Sequence, residues 1–192
     1  MTAETLPVVF DLDDLCPQYD AWALLNEWKE WNPSGKVTLF TIPRRCDDKY
    51  LRKYLDLPWV QLAMHGYWHT LGETLYWTSG LAEARFKEWT DRGGAPGFKA
   101  AKWIMSDEVY QAAARADFWI ADHADNKDLA FRSPGVKSYI YNLKRRKPSF
   151  RAVHGHTWNT SGNGLPEAFE RFCFPADTQF KFVSEVAQCS GS

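Results

Sequence analysis

Long apolar runs are absent from this chain. No stretch approaches the roughly 18 residues that a membrane-spanning helix needs. The N-terminus, MTAETLPVVF, has neither the basic start nor the apolar run of about 7–15 residues of a secretory signal, so the expected location is the cytoplasm, with no membrane partner. An excess of either charge is missing too: 23 basic and 24 acidic residues leave a net charge of -1, and no global field draws nucleic acid. The one basic run, Lys144-Arg145-Arg146-Lys147 before Pro148, reads as a solvated turn. Cysteines are few, and Cys16, Cys46, Cys173 and Cys189 show no C-x-x-C spacing. That excludes a zinc knuckle and leaves thiols that are free and mostly buried in a reducing compartment. No internal repeat or low-complexity segment is present.

What is there bounds the fold. With 192 residues, 45% of them apolar, the chain can bury a sizeable core and reads as one domain over 1–192. Ten tryptophans are many for that size, and a surplus of indole often lines sites that stack planar or sugar-like ligands. Val8, Val9 and Phe10 make a short strand after Pro7, delivering Asp11, Asp13 and Asp14 beyond its end. Apolar spacing then predicts a helix over 18–31, a strand over 36–42, a short helix over 47–55 capped by Asp47, and a strand over 59–64. A helix over 81–91, a strand over 98–103, a helix over 107–116 capped by Ser106 and a strand over 118–121 follow. Short strands at 138–141 and 150–153, a helix near 166–172 and a strand over 179–183 complete the pattern. Strands alternating with helices predict an α/β fold with a mostly parallel sheet, open or closed into a barrel.

Histidine is scarce, and its placement is informative. Four of five histidines sit in two tight groups at predicted strand ends, His65-Gly66-Tyr67-Trp68-His69 and His154-Gly155-His156. In α/β sheets functional groups gather beyond the carboxyl ends of the strands. A His-x-x-x-His pair with one carboxylate fills three positions around a divalent ion such as zinc and leaves a fourth for water. The Asp13-Asp14 pair can supply both the missing ligand and a nearby base.

Asp13-Asp14, His65-x-x-x-His69 and a late strand ending in His154-Gly155-His156 together resemble the polysaccharide deacetylase family, the NodB homology or carbohydrate esterase 4 group. The resemblance spans about residues 8–183 and implies a deformed (β/α) barrel that hydrolyses a carbon–nitrogen amide, usually N-acetyl on a sugar. By position it makes Asp13 the general base, Asp14, His65 and His69 the metal ligands, and His154 or His156 the acid that protonates the departing amine. The family's Arg-x-x-Pro, which steadies the base, has two partial counterparts. Lys99 stands in the Arg position of Phe98-Lys99-Ala100-Ala101, and Arg132 lies in the better-matched but late Phe131-Arg132-Ser133-Pro134. A lysine would supply a point charge where arginine supplies a two-pronged clamp. The acidic segment that orients the catalytic histidine corresponds to Asp122 or Asp125. Zinc is the first expectation for the metal, and the same donors accept cobalt, nickel or iron. Tyr67, Trp68, Trp103 and Trp158 are candidates for the walls of a carbohydrate-binding groove. Nothing in the sequence speaks to oligomeric state.

Two rival readings compete. The run Phe10-Asp11-Leu12-Asp13-Asp14 also resembles the first motif of haloacid dehalogenase-like phosphatases. There Asp11 would attack phosphorus and Asp13 act as acid/base with magnesium, Thr38 or Thr41 binding phosphate and Lys99 clamping charge. That reading leaves both histidine groups unexplained. The other rival is a non-catalytic carbohydrate-binding relative that keeps the fold, suggested by the imperfect Arg-x-x-Pro.

Overall fold

The structure is a computed structural model, and it describes residues 6–123, 136–141, 149–158 and 174–189. Seven parallel strands run in the order β7-β1-β2-β3-β4-β5-β6 and curve into a nearly closed barrel. They are β1 (Val8–Leu15), β2 (Val37–Thr41), β3 (Val60–His65), β4 (Gly97–Lys99), β5 (Trp119–His123), β6 (Lys137–Tyr141) and β7 (Arg151–His156). Two short strands finish the sheet: β8 (Phe180–Lys181) pairs with the start of β1, and β9 (Gln188–Cys189) runs antiparallel to β6. The deformed (β/α) barrel expected from the sequence is the observed architecture.

Strand alternation sorts the side chains. Phe10, Leu12, Leu39, Leu62, Met64, Phe98 and Ile120 face outward and pack beneath the helices. The helices α1 (Trp22–Trp31), α2 (Asp48–Leu55), α3 (Ser79–Asp91) and α4 (Asp107–Arg115) turn apolar faces onto that layer. Trp28 of α1, fully buried, meets Phe10 at 5.0 Å between ring centroids. On the other face Val9, Phe40, Ala63, Trp119, Ala121 and Tyr139 fill the barrel's interior. Asp11 and Asp13 share Val9's face, so they point into the barrel rather than into solvent. Asp47 caps α2 by accepting from the Tyr50 N–H at 2.7 Å, as expected.

Several boundaries differ from the sequence expectation, each for a local reason. Strand β1 continues through the acids to Leu15, all eight residues buried, because Lys99 and Tyr141 inside the barrel donate to Asp13 and Asp11. Pro17–Tyr19 forms a separate 3-10 turn, so α1 begins only at Trp22. The strand expected over 98–103 ends at Lys99, since Lys102 and Trp103 adopt left-handed conformations at φ 52° and 64°. Strand β7 includes the His154-Gly155-His156 run instead of ending before it. The expected strand over 179–183 is two residues long and is followed by a helical turn, α5 (Val183–Val186). The helix expected near 166–172, the basic run at 144–147, Asp125, Arg132 and Cys173 lie outside the described residues. Cys16 and Cys46 are free and buried, and burial pushes the Cys46 thiol up to about 12. Among the described residues no helix is long and apolar enough to cross a membrane.

Candidate metal centre

Adjacent residues on a strand normally face opposite sides of the sheet, yet Asp13 and Asp14 both line one cavity. A bulge makes this possible. Leu12 pairs with Leu39 and Leu15 with Thr41, three steps on β1 against two on β2, and Asp14 absorbs the extra residue at φ 71°. Aspartate tolerates this left-handed region better than most residues.

The histidine pair arrives from β3. His65 is its last residue and is 3% exposed. The chain then turns through Gly66 at φ 57°, and a Cβ there would lie 2.1 Å from Glu73 Oε1, so glycine is required. Glu73 organises the loop. Its Oε1 accepts from the N–H groups of Tyr67 (2.9 Å) and His69 (3.0 Å), and its Oε2 from that of Trp68 (2.9 Å). His69 is thereby fixed at φ 62° with its ring against His65, centroids 4.7 Å apart. Glu73→Ala strips three loop amides of their acceptor. It should weaken metal affinity about 10–100-fold, as loss of outer-shell support typically does, measured by competition with a chelator.

Three donor atoms converge. Asp14 Oδ1 lies 2.9 Å from His69 Nε2 and 3.4 Å from His65 Nε2. That oxygen is buried and no hydrogen bond reaches it, whereas Oδ2 accepts from the Trp158 indole N–H at 2.5 Å. His65 Nδ1 sits 3.1 Å from the Lys99 carbonyl, which can only accept; a proton therefore belongs on Nδ1, and Nε2 is the nitrogen left to face Asp14. A tetrahedral ion with bonds of about 2.0–2.1 Å separates its ligands by about 3.4 Å. The spacing and the donor chemistry fit a divalent transition metal. Burial alone would raise the Asp14 carboxyl, but the two facing imidazoles hold it far below the usual carboxylate range. Burial would likewise lower His65, and Asp13 and Asp14 together raise it.

Asp13 stands beside this triad. Lys99 Nζ donates to its Oδ1 at 2.7 Å, and its Oδ2 is 3.6 Å from His65 Nε2 and 3.8 Å from His154 Nε2. Burial pushes the Asp13 carboxyl up, and the charges of Lys99, His65 and His154 more than reverse this, leaving it below its ordinary value. Lys99, 1% exposed, is enclosed by the rings of Phe40, Trp103 and Tyr141 at 4.7, 4.3 and 4.4 Å. Register brings in β7, pairing Asp11 with His154 and Asp13 with His156. Asp11 is fully buried; its Oδ1 accepts from the Tyr141 hydroxyl at 2.6 Å and lies 2.7 Å from His154 Nδ1.

Asp13, Asp14, His65, His69, Lys99, His154 and His156 thus line one cavity of about 470 Å³, with Trp103 and Trp158 in its walls. Other expectations need correction. Asp122 is fully buried, accepts from the Tyr110 hydroxyl, and receives the His123 N–H at 2.7 Å. The carboxylate on His154 is Asp11. Tyr67 is a core residue whose hydroxyl donates to Glu88 at 2.8 Å, and Trp68 lies outside the cavity lining under the Arg44 guanidinium, 4.8 Å from its ring. The phosphatase reading also fails on geometry. Asp11, its nucleophile, is sealed beneath His154 and Tyr141 and does not line the cavity. Thr38 and Thr41 are buried and bonded to Gln61 and to the Leu39 carbonyl. Sequence reasoning gave Asp11 no part in orienting His154 and passed over Tyr141 and Glu73. The i, i+2 spacing of Asp11 and Asp13 was the available signal for the first, since it places both on one strand face.

The barrel resembles the fold of solved carbohydrate esterase 4 structures. A family 4 carbohydrate esterase from Streptomyces lividans, in complex with acetate, superposes with a TM-score of 0.59 at 16% identity, covering 99% of this chain and 94% of that one. A peptidoglycan deacetylase from Bacillus subtilis gives 0.62 at 14%, covering 95% and 90%. A family 4 pseudoenzyme from Bacillus anthracis gives 0.64 at 11%, covering 96% and 66%. No sequence-family model and no curated protein matches the chain.

Proposed function

We propose that the protein is a metal-dependent hydrolase of the polysaccharide deacetylase type, removing an acyl group, N-acetyl above all, from a sugar or related amide. One observation carries this reading: a lysine-held carboxylate, Asp13, and a carboxylate-oriented imidazole, His154, stand in the same cavity as the Asp14–His65–His69 triad. The neighbouring folds include enzymes named as deacetylases and also a pseudoenzyme, so the fold leaves activity to the residues.

Asp14, His65 and His69 would hold the metal, zinc by first expectation and cobalt, nickel or iron by the same donor set. A divalent ion there supplies Lewis acidity, lowering the pKa of a bound water from about 16 to about 7 and polarising the acyl carbonyl. Asp13 is the base. Lys99 occupies Oδ1 and keeps the group ionised, which leaves Oδ2 to accept a proton from the attacking water. His154 is the acid, giving its Nε2 proton to the departing nitrogen while Asp11 at Nδ1 fixes the ring. Trp103 and Trp158 offer aromatic faces to a sugar ring.

Elemental analysis tests the centre. Protein purified without added metal should carry about one equivalent of a transition ion, as three protein ligands imply, and the His65→Ala/His69→Ala double variant should carry none. Acetate release from N-acetylated glycans should follow the metal. A wild type that stays metal-free after reconstitution with zinc or cobalt would sink the reading.

A further inference from the structure

We propose that Asp13, His154 and His156 form a second, weaker cation site that shares a wall with the first, and that a transition ion bound there in excess blocks the reaction. The blocking effect rests on the hydrolase reading above; the site itself rests on its donors.

The three donor atoms lie within 4.8 Å of one another, with Asp13 Oδ2 3.8 Å from His154 Nε2. Their placement is set by the sheet, because His156 is the register partner of Asp13 and His154 that of Asp11 on paired strands. His154 also has the outer partner typical of a metal-binding histidine. With Nδ1 bonded to the buried carboxylate of Asp11, the remaining ring nitrogen turns into the cavity. Two imidazoles and one carboxylate suit zinc, copper or nickel rather than magnesium or calcium.

Charge decides the order of filling. In formal charge Asp11, Asp13 and Asp14 against Lys99 sum to minus two, which one divalent cation cancels, and the protonated His154 that the acid role requires adds a further positive charge. A second cation meets no uncompensated charge. It must also share Asp13 with Lys99 Nζ, 2.7 Å from that carboxylate, and sit near the first ion, since Asp13 Oδ2 is only 3.6 Å from His65 Nε2. When it does bind, it takes Asp13 Oδ2 and His154 Nε2, the two atoms through which protons would move.

Equilibrium dialysis against zinc, read by elemental analysis, tests this without reference to turnover. The wild type should take up one equivalent, then a second only at free zinc at least about 100-fold higher, because two like-charged ions a few ångströms apart repel. His156→Ala and the bulkier His156→Gln should both lose the second equivalent and keep the first, whose retention reports that the barrel is folded. In the wild type, acyl release should fall as the second equivalent loads. A wild type that stops at one equivalent at millimolar zinc overturns the second site and leaves the hydrolase reading intact. A second equivalent that persists in both variants overturns it as well, and a wild type that binds no zinc overturns both readings.

Discussion

Asp13→Asn should lower turnover by about 10²–10⁴-fold, the usual worth of a positioned general base, with KM and metal content close to wild type. The substitution keeps the shape of the side chain and a hydrogen-bond acceptor for Lys99 but removes the charge that takes a proton. Metal content is the control, because Asp13 lies outside the Asp14–His65–His69 triad. The same variant separates the hydrolase from a non-catalytic relative. A binding protein carrying Asp13→Asn would hold its glycan nearly as well as the parent and would have no turnover to lose. The outcome that defeats the assignment is a variant whose acetate release stays within a few-fold of wild type.

Lys99→Met should cost about 3–5 kcal/mol of stability at neutral pH, the typical penalty for stripping a buried charge of its partner. Methionine roughly matches the lysine stem, so packing against Phe40, Trp103 and Tyr141 survives. What is lost is the ammonium set between two buried carboxylates, with Nζ 2.7 Å from Asp13 and 3.9 Å from Asp11. The pH dependence gives the sign. In the metal-free wild type Asp13 titrates below its ordinary 3.8, so its contribution to stability is present above that value and disappears as pH falls through the depressed one. In Lys99→Met the main opposing charge is gone and burial pushes the same carboxyl upward. The gap between wild type and variant should therefore be widest at neutral pH and close in acid. Urea midpoints of metal-free protein at several pH values measure it; a gap that is constant with pH would assign the loss to packing.

How much of this was legible in the sequence depends on the range over which each feature is specified. The alternation of strands and helices is local, and it forecast a mostly parallel sheet, open or closed; the deformed barrel was what the family resemblance implied. The two histidine groups and the Asp13-Asp14 pair were legible because metal ligands must be of a few residue types at short spacing. Lys99 could be assigned by its order along the chain even without the expected arginine, and it is the residue that meets Asp13. Asp11 was given the wrong work because its partner is 143 positions away in sequence, and only the register of β1 on β7 brings them together. Asp122 was misassigned for the converse reason. It stands near a strand end, as a site residue would, but Tyr110 on α4 claims it. The bulge at Asp14 has no sequence signature at all, since non-glycine residues enter the left-handed region only where surrounding structure compels them.

That compulsion bears on how the chain can drift. Asp14 and His69, two of the three donors, both hold positive φ, a conformation that costs roughly 1–2 kcal/mol per non-glycine residue. Glycine at either place would relax the backbone and yield a more robust scaffold with a crippled centre. The donors are thus held where the backbone resists them, at Asp14 by the bulge on β1 and at His69 by the loop that Glu73 gathers.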